Sequence, residues 1–79
     1  MDDKTIKEKL KFYAGKNIEL HIVKKPRTET FEPEWLNCFI ISEETPEVYV
    51  IKERKFGIMH LFVSEISTIE LCRRENGTT

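Results

Sequence analysis

Glycine, proline and cysteine are all scarce in this chain, at three, three and two residues of 79. Gly15, Gly57 and Gly77 lie too far apart to form a glycine-rich loop that cradles phosphate, which excludes the familiar nucleotide-binding signatures. Two cysteines, Cys38 and Cys72, are too few for a disulfide scaffold, and each sits in an apolar strand pattern that reads as a buried free thiol. No apolar run approaches the roughly 20 residues that span a bilayer. The opening Met1-Asp2-Asp3-Lys4 leads into charge, not into the apolar stretch of a secretory signal. The expectation is a cytoplasmic protein without membrane contact. An excess of one charge is missing too: 13 Lys and Arg face 14 Asp and Glu, so bulk electrostatics make no case for nucleic acid.

What is present is a 39% hydrophobic, 34% charged chain, the balance of a soluble globular domain. Residues 1–79 read as one domain, close to the size at which a single core barely suffices. Asp2 or Asp3 can cap a helix, Thr5 to Glu8 has capping-box spacing, and Ile6, Leu10 and Tyr13 form one apolar stripe. Gly15 ends that helix as a left-handed cap. Ile18, Leu20 and Ile22 then alternate with Glu19 and His21, a half-buried strand. A polar connection with Pro26 and Pro33 follows. The next strand is apolar on both faces, Leu36, Cys38 and Ile40 against Trp35, Phe39 and Ile41. Residues 47–72 hold three β-rich runs split by short polar breaks at 52–55 and 64–65, which reads as a three-strand antiparallel meander.

The spacing therefore predicts a mainly β fold with one N-terminal helix over 3–14 and strands over 17–24, 35–43, 47–53, 56–63 and 67–73. An open sheet would leave bare edges and enclose little volume, so a small five-stranded antiparallel barrel is expected, with the two-faced second strand bending between its halves.

The segment Val63-Ser64-Glu65-Ile66-Ser67-Thr68-Ile69 resembles the Ala-Ile-Ser-Thr-Ile with which Hfq-like members of the Sm-like family open their last strand. The order of elements over residues 4–73 also resembles that family. The resemblance implies an SH3-like small barrel, RNA as ligand, and rings in which strand four of one subunit joins strand five of the next. It further implies RNA contacts in the loops after strands two and four. The matching loops here carry Glu43, Glu44, Glu47 and Glu65 and no cation, and the usual glycine early in strand two is missing. Such loops repel phosphate.

In an up-and-down meander the loops after strands one and three share an end with the exit of strand five. That end would gather Lys24, Lys25, Arg27, Lys52, Arg54, Lys55, Arg73 and Arg74, with Phe31 and Trp35 beside them, while the four glutamates collect at the other end with Lys16 nearby. Glu29, Glu32, Glu34, Glu53 and Glu75 offset part of this basic end. The eight cations are the candidate nucleic-acid site. The competing readings are plain solvated loops, with Trp35 and Phe31 as barrel plugs.

Along residues 56–63, Phe56, Ile58, His60 and Phe62 alternate with Gly57, Met59, Leu61 and Val63, so both faces are apolar. A second apolar face meets either the N-terminal helix or another subunit, and the former set is the candidate oligomer interface. His21, Cys38, His60 and Cys72 stand 17, 22 and 12 residues apart, without the paired spacing of a zinc site. A Cys38–His60 nucleophile pair would lack an orienting third group. No catalytic residue, metal, cofactor or small-molecule substrate is expected. The sequence reads as a non-catalytic Sm-like module binding RNA as a homo-oligomer, or alternatively as a protein-interaction module, an adaptor or inhibitor.

Overall fold

The computed structural model describes residues 1–26 and 34–72. Helix α1 spans Asp3–Tyr13 and is followed among the described residues by five strands: β1 Glu19–Lys24, β2 Trp35–Thr45, β3 Val48–Glu53, β4 Gly57–Phe62 and β5 Ile66–Leu71. The Asp2 carboxylate caps α1 by accepting the Thr5 N–H at 2.9 Å, and that bond holds its carboxyl below the ordinary value. Ile6 and Leu10 face inward and are fully buried. Gly15 takes the expected left-handed conformation (φ 75°), and its N–H donates to the Ile40 carbonyl at 2.9 Å, which ties the end of the helix to β2.

The sheet is antiparallel, in the order β4-β3-β2-β1-β5. β2 is the strand both halves share. Trp35 to Phe39 pair with β1, whereas Cys38 to Thr45 pair with β3, and the register shifts between Ile40 and Ser42. Such a shift is the mark of a bulge, which redirects a strand between two partners.

The fifth strand departs from the expected meander. It does not lie beside β4; it crosses to pair antiparallel with β1, Leu71 opposite Leu20 and Ile69 opposite Ile22. The supposed polar reversal is a 3-10 turn over Val63–Glu65. Val63 and Ile66 flank it, fully buried, and the Val63 N–H bonds the Glu47 carbonyl at 2.9 Å. Anchored on two core residues, the chain is carried across the molecule instead of folding back. Backbone bonds from Lys25 N–H to Glu65 O (2.8 Å) and Cys72 N–H to Glu19 O (3.0 Å) fasten both ends of the β1–β5 pairing. The sheet consequently does not close on itself: β4 and β5 are its two edges, and the closed barrel expected from the sequence is not seen in the single chain.

The core lies between one sheet face and α1. Leu20 and Ile22, Leu36, Cys38 and Ile40, Tyr49 and Ile51, Leu61, and Ile66 and Ile69 meet Ile6 and Leu10 there. Burial pushes the Cys38 thiol up to about 12, so it stays an inert apolar filler.

Candidate ligand-binding surface

Strand alternation decides what the outer face carries. Because Leu36, Cys38 and Ile40 take the inward positions of β2, Trp35 and Asn37 point away from the core. Trp35 is 54% exposed, so it is no barrel plug. The His21 ring packs against it, with centroids 5.4 Å apart. Asn37 lies opposite His21 in the β1–β2 register, and His21 lies opposite Glu70 in the β1–β5 register. His21 Nδ1 is 2.9 Å from Asn37 Oδ1; an amide oxygen can only accept, so Nδ1 carries the hydrogen. The Cys72 thiol shares that oxygen at 3.7 Å, and Arg54 Nη2 approaches Cys72 Sγ at 3.6 Å.

Three grooves meet at Trp35. One, of about 440 Å³, runs over His21, Asn37, Arg54, Glu70 and Cys72. A second, of about 350 Å³, is bordered by Glu53, Arg54, Lys55 and Phe56. The third, of about 360 Å³, lies between Lys24, Glu34, Phe56 and Met59.

The turn that brings Arg54, Lys55 and Phe56 to these grooves is clamped by Glu53. This side chain is only 5% exposed. Its carboxylate accepts the N–H groups of Lys55 (2.6 Å), Phe56 (2.9 Å) and Asn37 (3.3 Å). Burial alone would raise its pKa, but the Phe56, Lys55 and Asn37 amides together outweigh that and leave it below the ordinary value. Glu53 is therefore a structural tie, not one more acid diluting a basic end.

The expected sorting of charge between two poles is not what the strand order produces. Because β5 runs antiparallel to β1, its last residues lie at the start of β1, with Cys72 bonded to Glu19, and not at the Lys24 end. Glu65, expected at the acidic pole, sits 3.5 Å from Lys24, which also meets Glu34 at 3.7 Å. Arg54 is held by both oxygens of Glu19, at 2.6 and 3.1 Å, which raises its pKa further. Lys52 lies in a separate groove with Gly15, Asn17 and Phe39. Arg27, Arg73, Arg74 and Phe31 fall outside the described residues. Lys25, Lys52 and Lys55 remain exposed with no salt bridge among the described residues. Of the acidic turn, Glu47 pairs with Lys7 at 2.6 Å and Glu44 with His60 at 3.0 Å.

Along β4 the alternation is as expected. Leu61 and Val63 are buried while Phe56, Ile58 and Phe62 are 71%, 62% and 48% exposed, with His60 exposed among them. The helix packs instead on β2, β5 and the 3-10 turn, so it does not cover this row. Cys38 in the core and His60 on the outer face lie on opposite sides of the sheet and form no nucleophile pair. Sequence reasoning weighed His21 only as a zinc ligand and passed over Asn37 and Glu70; the clue was Asn37, a lone amide in the middle of an apolar strand. Among the described residues no three His, Cys, Asp or Glu side chains group to hold a metal, and no helix is long and apolar enough to cross a membrane. No family model, curated protein or solved structure matches the chain.

Proposed function

We propose that this protein is a non-catalytic, Sm-like binding module that lays single-stranded RNA over Trp35. The observation that carries the reading is the one tryptophan of the chain, half exposed where three grooves meet. An open aromatic face stacks on any base, worth roughly 1–3 kcal/mol per base. Two exposed lysines supply contacts for the phosphates of the same ligand. Glu19 is paired with Arg54 and Glu53 with backbone amides, Lys24 faces both Glu34 and Glu65, and Lys25 and Lys55 are exposed with no salt bridge among the described residues. Such cations bind phosphate with a steep salt dependence.

The same reading gives the sheet an SH3-like barrel plan completed between copies. The resemblance joins strand four of one subunit to strand five of the next, and β4 and β5 are the two six-residue edges. A homo-oligomer built so would satisfy backbone groups that an isolated edge leaves unpaired.

The test is titration of a uridine nonamer followed by tryptophan fluorescence at low and moderate salt. Wild-type protein is expected to bind and to lose affinity steeply with salt, and Lys25→Glu with Lys55→Glu to lose about tenfold or more at low salt. Unchanged affinity in the double variant overturns the reading. The row Phe56, Ile58 and Phe62 favours a second reading, an adaptor or inhibitor that docks a protein partner. That reading predicts binding nearly indifferent to salt and no RNA quenching.

A further inference from the structure

Within the groove over β1, β2 and β5, Glu70 is an exposed carboxylate with no ion partner among the described residues. An unanswered negative charge beside an RNA path repels phosphate, so it belongs where a base, not the backbone, lies. We propose that this groove reads a guanine base of single-stranded RNA, stacked at Trp35, through the row Asn37–His21–Glu70. This rests on the RNA reading above.

The row follows from register. Asn37 faces His21 across β1–β2 and His21 faces Glu70 across β1–β5, so the three side chains stand on adjacent strands of one face, roughly 4.8 Å from strand to strand. Their hydrogen-bonding roles are fixed in turn. Asn37 Oδ1 is taken by His21 Nδ1–H and the Cys72 thiol, which leaves the amide N–H₂ as a donor. In the tautomer with its hydrogen on Nδ1, His21 presents Nε2 as an acceptor. The Glu70 carboxylate only accepts. The row thus reads donor, acceptor, acceptor. Guanine presents the complement along its pairing edge: the O6 acceptor, the N1–H donor and the 2-amino donor. Adenine and cytosine each offer one amino group beside an acceptor nitrogen, and uracil a single N–H between two carbonyls. Uracil would leave a carbonyl lone pair against Glu70, and adenine or cytosine, turned to give Glu70 its amino group, would leave a ring-nitrogen lone pair against His21 Nε2.

Because Trp35 is the one tryptophan, its fluorescence reports this site directly. The experiment titrates four RNA nonamers, all uridine or with a central guanosine, adenosine or cytidine, into wild-type protein and Glu70→Gln. Wild type is expected to prefer the guanosine nonamer about tenfold. In Glu70→Gln that preference should shrink to about twofold, while affinity for the all-uridine nonamer holds or rises. Equal wild-type binding of all four removes the guanine site and leaves the RNA reading standing. A preference that survives Glu70→Gln overturns the role given to Glu70. Absence of quenching by any nonamer at low salt removes both.

Discussion

The two sides of β2 are made from the same eleven-residue strand and meet opposite fates. Leu36, Cys38 and Ile40 are 7%, 0% and 2% exposed against the helix side of the core. Trp35, one position away, is 54% exposed, and Asn37 sits half-buried among His21, Arg54 and Cys72. A period of two thus divides labour: one side holds the molecule together, and the other, which no described element covers, holds the polar and aromatic groups able to meet a ligand. The division predicts that substitutions on the two sides will separate stability from binding.

The largest effect is expected inside. Ile22→Ala removes a fully buried side chain between β2 and β5 and should lower unfolding free energy by about 3 kcal/mol, read as a shifted urea midpoint. Trp35→Ala, by contrast, should change that midpoint by under about 1 kcal/mol while weakening the uridine nonamer about tenfold, measured by anisotropy since the tryptophan is gone. A Trp35 variant as unstable as Ile22→Ala would collapse the distinction between the two sides.

Glu53 crosses the divide, an acid on the core side that shapes the ligand side. Glu53→Ala leaves the Lys55, Phe56 and Asn37 amides without their acceptor and should cost about 2–3 kcal/mol. Its folded pKa lies below the ordinary value of 4.5. The stabilisation is therefore complete above that value and is lost as pH falls below it, through the lower folded value. Wild type should lose stability across that acid window, and Glu53→Ala should show a shallower decline. Identical acid profiles would remove the clamp.

Much of this was legible in the chain because alternation is a local signal. The helix with its Asp2 cap and Gly15 terminus, the strand segments and the exposed row on β4 follow from residues a few positions apart. Strand order did not follow, because pairing is not local. Nothing between Ser64 and Glu65 announces that buried Val63 and Ile66 will carry β5 across to β1. That single crossing dissolved the sorted charge poles, moved Glu65 to Lys24, and placed Glu70 in line with His21 and Asn37. Glu53 was misjudged for a related reason: its partners are backbone amides of its own turn and of β2, which no residue pattern displays.

The smallest expected effect tests whether the inner side is as purely apolar as its burial implies. Tyr49 is fully buried, and its hydroxyl has no hydrogen-bond partner among the described residues. Burial raises its pKa, so the group stays neutral, yet it has still given up water without receiving a protein acceptor. Removing an unsatisfied buried hydroxyl at constant ring shape relieves that desolvation, so Tyr49→Phe should stabilise the fold by up to about 1 kcal/mol, seen as a higher urea midpoint with an unchanged slope. RNA affinity should not move, because Tyr49 belongs to the core and lines none of the grooves at Trp35. A loss of stability instead would mean that the hydroxyl is satisfied, and the inner side would then share the polar wiring that otherwise distinguishes the outer one.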